Sequence, residues 1–590
     1  KRKKKDVPDA SQSLPGIFRG CEPHEYLLCL KDREIRGLYG NVQVRAVVGS
    51  VRIDGGLVKE VEKHDQESWH NVCAPFKNGR PIYVAIDHTL PTSLIDHRIR
   101  WRIKDLSPAV DDILSYILRC DSSLYAILLV SKKPTVEARI AHSLHETFLA
   151  PVHTGNIRYS SNFTASFFNI LLPDTRASQS YSEESVLRID QTIDDLLAYE
   201  GPDRLSTVIT GCKGVGKSTF SRKLVNYLWT DKGRPIYYMD LDIGQSEFTP
   251  PGIISCSKIG KPILDLPFNH QESFFENAVF VGNITVKEDD ERKYLAAVDS
   301  LYDRYLENSP SNSILIVNTM GWIEGFGKVV LNHVCQKLYP RYVLRLSGAH
   351  ECPSPMYQLP LSIASNLRQM TIGWKPGHMR IDSPLNAAHL RELTTIGYFS
   401  KCLPESRPVL SAMCEAVPFQ VHFSNLCIVL PYGLRSLPDK AVFAALNLSV
   451  VALCAIGDCS LNKATRRRML GSEELPWLVL STPATPSIRV MGYGIIRGAD
   501  METRRLYVVT PLTTEQMNEV DSVASLQGVP LPPAFIQTQP HTHKPYILSR
   551  SDDSSTVKRS STGVIADLYA PFISRSANMN MRKQQQRNNV

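Results

Sequence analysis

The chain has 590 residues, of which 43% are hydrophobic, 21% charged and 8% aromatic. This composition is typical of a folded protein and excludes a wholly disordered, collagen-like or coiled-coil chain, and the length predicts several domains. The formal net charge of +8 is concentrated at the two chain ends. Lys1–Lys5 carries five positive charges and residues 551–590 carry a net three, which leaves residues 6–550 neutral. A polyanionic partner is therefore expected to bind local patches and basic ends rather than the overall charge.

The cysteine and histidine patterns argue against a disulfide framework and a structural zinc site. The 13 cysteines include no C-x-x-C pair, and the 16 histidines show no zinc-ligand spacing. The longest apolar stretch, around Val450–Ile456, is far shorter than the roughly 18 residues of a membrane-spanning helix. Lys1–Lys5 (KRKKK) is a weak match to a nuclear import signal and equally resembles a solvated chain end. We therefore expect a reducing compartment and no membrane segment.

In chain order, the predicted elements divide the protein into three folded regions between two flexible ends. Residues 1–24 are predicted to be a basic disordered end, and residues 25–195 a β-rich domain of short strands between Gly, Asn and Asp turns. Strands and helices alternate in residues 196–400, which predicts a mostly parallel sheet covered by helices. Residues 401–550 are again strand-rich, and residues 551–590 are predicted to be a flexible tail. The predicted class is α/β, with flanking domains that are β-rich or α+β.

Individual elements of the central region follow from apolar runs and periodicity. Apolar residues at helical spacing predict a helix over Phe220–Leu228. The predicted strands are Val208–Thr210, Ile236–Met239, Val279–Val281, Ile314–Val317 and Tyr342–Leu346.

The clearest motif is a phosphate-binding loop, G-x-x-x-x-G-K-S, at residues 211–218. It lies between a predicted strand, Leu205–Thr210, and a predicted helix that starts near Lys217, which is the context that the motif requires. Glycines let backbone N–H groups point at phosphate oxygens, and the helix N-terminus adds positive potential. Lys217 is expected to bridge the β and γ phosphates, and the Ser218 hydroxyl can ligate Mg²⁺. The predicted ATP-binding residues are Gly211, Cys212, Lys213, Gly214, Val215, Gly216, Lys217, Ser218 and Thr219.

Two acids, Asp240 and Asp242, lie at the end of the next predicted strand. A carboxylate at such a strand end can ligate magnesium or accept a proton from a nucleophile, and the alternative is a solvated turn. Acids two residues apart project to the same face of an extended strand. The spacing alone therefore leaves open which of the two is a base.

A third element, Asn318–Trp322, follows the predicted strand Ile314–Val317. Thr319 offers a hydroxyl, Gly321 permits close backbone approach, and Trp322 presents a ring on which a base could stack for about 1–3 kcal/mol. A tryptophan in this position is more often a core residue than a ligand platform. No guanine-reading N-K-x-D pattern follows, which favours ATP over GTP.

Together these motifs resemble the polynucleotide 5′-hydroxyl-kinase family, and most closely its nucleolar branch, which acts in the processing of ribosomal RNA precursors. The resemblance is carried by the phosphate loop, by Asp242–Gly252 (DIGQSEFTPPG) and by Asn318–Trp322 (NTMGW). Weaker, patchy similarity extends over most of residues 25–550. The resemblance implies a central kinase domain between an N-terminal β-domain and a C-terminal domain.

The resemblance also implies roles for single residues. Asp242 corresponds to the general base that deprotonates the RNA 5′-hydroxyl, and it is also a possible magnesium ligand. Arg391 matches an arginine of a lid that closes over ATP, whereas a second lid arginine has no obvious match; a surface helix charge is the alternative for Arg391. Residues expected to hold the RNA end are Gln245, Thr319, Gly321 and Trp322.

In this branch the kinase is expected to work beside a HEPN endoribonuclease, in the nucleus and nucleolus. The nuclease cuts the second internal transcribed spacer and leaves the 5′-hydroxyl end that the kinase phosphorylates. His543–Ile547 (HKPYI) is the candidate nuclease contact, with an ordinary linker as the alternative. The basic run Lys463–Arg468 could contact RNA phosphates or be a solvated surface.

The sequence therefore predicts an ATP- and Mg²⁺-dependent RNA 5′-hydroxyl kinase with Lys217, Asp242 and Arg391 as catalytic residues. One alternative is an ATP-binding scaffold subunit of an endoribonuclease complex with little kinase activity. A second is a phosphate-loop kinase that acts on a small molecule and has no affinity for RNA.

Overall fold

The computed structural model describes residues 16–31, 34–61, 68–74, 82–88, 90–91, 95–119, 124–131, 135–145, 168–170, 183–229, 233–286, 290–347, 367–373, 385–403, 410–422, 426–431, 446–456, 466–470, 473–480, 488–500 and 503–540. His543–Ile547, Lys1–Lys5 and the first part of the basic run, 463–465, lie outside these residues. No helix among the residues described is long and apolar enough to cross a membrane. The same residues contain no cluster of His, Cys, Asp or Glu that could hold a metal ion by itself.

The chain forms two compact units, each assembled from separate stretches of sequence. Unit 1 comprises Lys1–Met239, Lys258–His270 and Ser309–Asn386. Unit 2 comprises Asp240–Ser257, Gln271–Asn308 and Ala387–Val590.

The first part of unit 1 is an antiparallel sheet with helices on one face. Its strands are β1 (Ile17–Arg19), β2 (Glu25–Lys31), β3 (Ile35–Val48), β4 (Ser50–Ile53), β5 (Gly56–Val58), β6 (His70–Ala74), β7 (Ile82–His88), β8 (Leu90–Pro91), β9 (Leu124–Ser131) and β10 (Phe168–Ile170). Its helices are α1 (Ile95–Ile103), α2 (Val110–Leu118) and α3 (Val136–Leu144). Strand alternation divides β2 between two cores: Leu28 packs in one core, and Leu27 packs with α1 and α2 in the other.

The second part of unit 1 is a parallel sheet that supports the phosphate loop. Its strands are β11 (Leu205–Thr210), β12 (Ile236–Asp240), β15 (Ile314–Asn318), β16 (Tyr342–Ser347) and β17 (Arg368–Gly373), in the order β17-β16-β11-β15-β12. The helices of this part are α4 (Glu183–Leu197), α5 (Lys217–Leu228) and α7 (Phe326–Leu338). Every residue of β11 and β15 is buried, as expected for parallel strands covered on both faces.

Unit 2 is built around a mixed sheet. Its strands are β13 (Ile253–Lys258), β14 (Ala278–Phe280), β18 (Phe419–His422), β19 (Cys427–Pro431), β20 (Val450–Ala455), β21 (Arg466–Leu470), β22 (Glu473–Leu480), β23 (Arg489–Asp500), β24 (Arg505–Val509) and β25 (Ser522–Ser525). The helices are α6 (Glu291–Asn308), α8 (Ala387–Phe399), α9 (Thr514–Asn518) and α10 (Pro533–Gln537). Most pairs are antiparallel, whereas β19 runs parallel to both β22 and β25. The end of the basic run, Arg466–Arg468, begins strand β21.

The α/β class with a parallel central sheet is confirmed, as are the five strands and the helix predicted in the central region. Strands β12, β15 and β16 each extend one residue beyond the predicted end, and β14 lies one residue earlier than predicted. Helix α5 begins at Lys217, as expected for the helix that follows the motif. The proposed domain boundaries stay predictions.

Candidate active site

The phosphate loop of unit 1 follows β11 and leads into α5. Gly214 and Gly216 have φ angles of 79° and 90°, in the left-handed region that favours glycine. Gly216 is also the N-cap of α5, and the first turn of this helix contains no acidic residue. The positive end of the helix is therefore not neutralised by its own side chains, which favours an anion at the loop.

Lys217 is the first residue of α5, and its side chain folds back over the loop. The residue is 7% exposed, and its Nζ donates a hydrogen bond to the Cys212 carbonyl at 3.0 Å. Ser218 is partly buried, and Lys213 and Thr219 are exposed. The loop thus presents a cation, a hydroxyl and backbone N–H groups on one curved segment, which is the donor set that suits a nucleotide phosphate with Mg²⁺.

The segment after β15 lies directly against the phosphate loop. Parallel pairing places Ile209 opposite Asn318, so the two strands end side by side. Both the N–H and the hydroxyl of Thr319 donate to the Ile209 carbonyl, at 3.2 Å and 2.8 Å. A Cβ atom on Gly321 would lie 2.8 Å from the Lys213 Cα, so the approach of the two loops leaves no room for a side chain at this position.

Trp322 is not a core residue. Its side chain is 43% exposed. Its backbone packs against the start of α7, where a Cβ on Gly327 would collide with the Trp322 carbonyl. Among the residues described, no aromatic or cationic side chain stacks on the ring. The ring beside the phosphate loop is therefore accessible to a planar ligand, as the ligand-platform interpretation requires.

Residues 240–247 form a segment of unit 2 that we call the acidic loop, and it begins at Asp240, where strand β12 ends. Asp240 is 1% exposed, and its two carboxylate oxygens accept hydrogen bonds from the N–H groups of Asp242 (3.1 Å) and Glu247 (2.7 Å). Burial, followed by the negative charge of Asp242, raises the pKa of Asp240 to about 8. Asp240 therefore anchors the loop from inside.

Asp242 has a different environment, because it lies beyond the end of the strand and is only partly buried. Its Oδ1 accepts from the N–H groups of Gly244 at 2.9 Å and Gln245 at 3.1 Å. Its Oδ2 has no hydrogen bond to any residue that the structure describes. One oxygen is thus fixed while the other can accept a proton or ligate a cation.

Two further groups of unit 2 act on this loop. The Tyr294 hydroxyl, from α6, donates to the Leu241 carbonyl at 2.7 Å, between the two acids. Arg391, on α8, is partly buried; burial is the main cause that lowers its pKa, and the charge of Asp242 opposes that shift. Arg391 and Asp242 therefore interact electrostatically within unit 2.

The structure assigns the predicted site residues to two groups. Unit 1 brings together the phosphate loop, Thr319, Gly321 and Trp322, whereas unit 2 brings together Asp242, Gln245 and Arg391. The sequence did not indicate that Asp240 and Tyr294 hold the acidic loop. The position of Asp240 at the end of a buried strand is a sequence signal for its burial, because an acid in such a position is often itself buried. No local sequence pattern indicates the role of Tyr294.

The chain is similar to several known proteins. Residues 211–401 match the family described as the P-loop of the mRNA cleavage and polyadenylation factor CLP1. A protein of Caenorhabditis briggsae named polynucleotide 5′-hydroxyl-kinase nol-9 is 28% identical, over 85% of this chain and 88% of that protein. Its namesake in Caenorhabditis elegans is 27% identical, over 91% and 93% of the two chains. Polynucleotide 5′-hydroxyl-kinase NOL9 of Bos taurus is 26% identical, over 71% and 63%.

The resemblance to the polynucleotide 5′-hydroxyl-kinases is confirmed. The CLP1-type match spans the phosphate loop, the acidic loop and Arg391. Residues 211–401 are therefore similar to the CLP1 P-loop, within an overall similarity to proteins named polynucleotide 5′-hydroxyl-kinase.

The two acids are expected to contribute differently to stability. Replacing Asp240 with Asn puts an amide NH₂ against one of two buried backbone donors, which should lower the free energy of unfolding by about 1–3 kcal/mol. Asp242→Asn keeps an oxygen for Gly244 and Gln245 and should cost less than about 0.5 kcal/mol. Urea unfolding of both variants measures the difference. Equal destabilisation would contradict the assignment of Asp240 as the anchor.

Proposed function

We propose that this protein is an ATP- and Mg²⁺-dependent RNA 5′-hydroxyl kinase that acts in ribosomal RNA precursor processing. The observation that carries the proposal is the Asp242 carboxylate, in which one oxygen is fixed by two backbone N–H groups and the other accepts no hydrogen bond from any residue described. A fixed carboxylate with one free oxygen suits a general base for a hydroxyl nucleophile. The relatives named polynucleotide 5′-hydroxyl-kinase support the choice of a 5′-hydroxyl as that nucleophile.

The phosphate loop binds the phosphates of ATP through its backbone N–H groups and the N-terminus of α5. The Lys217 ammonium donates hydrogen bonds to the β and γ phosphates. The hydroxyl of Ser218, the next residue of the motif, would ligate the metal. When bound, Mg²⁺ neutralises charge on the phosphate oxygens. The lack of acidic residues in the first turn of α5 supports this assignment, since a carboxylate there would repel the triphosphate.

Asp242 removes the proton of the RNA 5′-hydroxyl while that oxygen attacks the γ phosphorus. A P–O bond forms to the RNA, the bond between the γ phosphorus and the β–γ bridging oxygen breaks, and ADP leaves. The proton stays on Asp242 until solvent removes it. Arg391 contributes positive charge for the transferring group, which its interaction with Asp242 supports.

Trp322 and Thr319 hold the terminal nucleotide of the RNA. The exposed ring of Trp322 offers a stacking surface, and the packing of Gly321 against Lys213 fixes that surface beside the phosphate loop. Gln245, which is exposed on the acidic loop, is the remaining candidate for contact with the RNA. Most of the rate enhancement is expected from this positioning and from charge stabilisation.

The proposed setting is a nucleolar complex with a HEPN endoribonuclease that supplies 5′-hydroxyl ends from the second internal transcribed spacer. His543–Ile547 is the proposed contact with that nuclease. The names of the nol-9 and NOL9 relatives are consistent with this location. If the protein binds ATP and the nuclease but transfers no phosphate, the scaffold function becomes the better account.

Asp242→Asn is expected to abolish phosphate transfer to a 5′-hydroxyl RNA while ATP binding stays near the wild-type level. The amide cannot take the proton, but it preserves the hydrogen bonds of the loop. Transfer of labelled γ-phosphate, measured beside ATP titration, separates the two properties. Near-normal transfer by this variant would show that another group is the base.

Trp322→Ala is expected to raise the RNA KM by about 5-fold or more, since a stacked base contributes about 1–3 kcal/mol. The KM for ATP should change little. Trp101→Ala is the matched control, because Trp101 is also exposed, at 62%, and lies on α1 of the same unit. Equal RNA KM values for Trp322→Ala and the control would exclude the stacking role.

A further inference from the structure

Two arginines of unit 2 converge on one face formed by α6, β14 and β23. The Asn277 side chain, just before β14, donates to the Leu301 carbonyl of α6 at 3.5 Å. Arg304 is three residues beyond Leu301, on the same side of the helix. Val279 is two residues beyond Asn277 and pairs with Arg489 of β23, so their side chains share one face of the sheet.

The polar groups of this cluster are left incompletely satisfied. The Nη1 atom of Arg304 and the Oδ1 atom of Asn277 are both buried and have no hydrogen-bond partner among the residues described. Within the same residues neither arginine forms an ion pair. Burial is the main cause that lowers the pKa of Arg304, the positive charge of Arg489 adds to the effect, and Glu307 opposes it.

Two neighbouring guanidinium groups, which are influenced by the charge of Glu307 but form no ion pair with a described residue, favour a bound oxyanion. Each guanidinium has planar, forked donors that match the oxygens of a phosphate, and partial burial strengthens the attraction. The unpartnered Asn277 Oδ1 is itself an acceptor and adds no attraction for an anion. The donors of the two arginines are the groups that a phosphate would engage.

The position of the cluster indicates which phosphate group of a polynucleotide it can bind. The Tyr294 hydroxyl donates a hydrogen bond to the Leu241 carbonyl, between the two acids, and Arg304 lies ten residues further along α6. At 1.5 Å per residue this is about 15 Å from the reacting end. A group so placed is better suited to the body of a polynucleotide than to its terminal nucleotide.

We propose that Arg304 and Arg489 form a binding site for a phosphodiester group of the RNA, several nucleotides from the 5′ end. The choice of RNA as the source of the phosphate rests on the proposed function. The site then contributes to affinity for long substrates and leaves the chemical step unchanged.

The test uses the full chain and a 20-nucleotide single-stranded RNA with a 5′-phosphate, without ATP, so that no turnover is needed. Arg304→Gln and Arg489→Gln should each raise the Kd several-fold. Each should also reduce the slope of log Kd against log salt concentration by about 0.7, the value for one lost phosphate contact in a single strand. Arg505→Gln is the matched control, since Arg505 is an exposed arginine of the same unit whose guanidinium donates to Gln420. Its Kd and slope should equal the wild-type values.

Three further measurements distinguish a site for the body of the RNA from an ATP site and from a purely structural role of the two arginines. In kinase assays, both variants should raise the KM for a 20-nucleotide RNA but not for a trinucleotide, with kcat unchanged for either substrate. The Kd for ATP should also be unchanged, because a free nucleotide is the other source of phosphate. Urea unfolding without RNA should show no loss of stability, since each substitution removes one of two neighbouring like charges.

The proposal is overturned if both variants bind the 20-nucleotide RNA with wild-type Kd and salt slope. It is also overturned if ATP binding weakens in place of RNA binding. Should a glutamine variant fail to fold, Arg304→Lys and Arg489→Lys keep the charge but lose the forked donors, and the same Kd comparison then decides. Failure of the kinase itself is seen separately, as absence of transfer by the wild type.

Discussion

Parallel pairing between β11 and β15 is the constraint on which the phosphate-binding half of the site depends. The register that sets Ile209 opposite Asn318 makes both strands end at one edge of the sheet. Thr319 then bonds to the end of β11, and Gly321 packs against Lys213 with no space for a side chain. A change in that register would separate the segment that carries Trp322 from the phosphate loop. These two segments are therefore packed together as one local structure.

The two carboxylates of the acidic loop differ in their hydrogen bonds and burial. Asp240 is buried and uses both oxygens to accept from backbone N–H groups, so it fixes the path of the chain. Asp242, two residues later, has one oxygen that accepts from the turn that follows and one that accepts nothing from the described part of the chain. Tyr294 holds the peptide between them. Two similar residues so close in sequence therefore have different environments, one buried and one partly exposed.

Much of the site could be predicted from local sequence, and the rest depends on tertiary contacts. The phosphate loop was predictable because its glycines and lysine meet a fixed chemical need between a strand and a helix. The resemblance predicts Asp242 as the base, but local spacing does not distinguish it from Asp240, because their environments depend on β12 ending at Asp240. The exposure of Trp322 depends on how its backbone packs at Gly327. The proximity of Arg304 and Arg489 brings together segments that are far apart in the sequence, and no periodic pattern in either segment indicates it.

The most direct test of the central claim is transfer of labelled γ-phosphate from ATP to a 5′-hydroxyl RNA by wild type and by Lys217→Ala. The assay should be run with and without a co-expressed endoribonuclease. If the chemistry depends on this phosphate loop, the wild type will label the RNA and the variant will not. Absence of labelling by the wild type in both preparations, despite measurable ATP binding, would contradict the kinase assignment and indicate an ATP-binding scaffold.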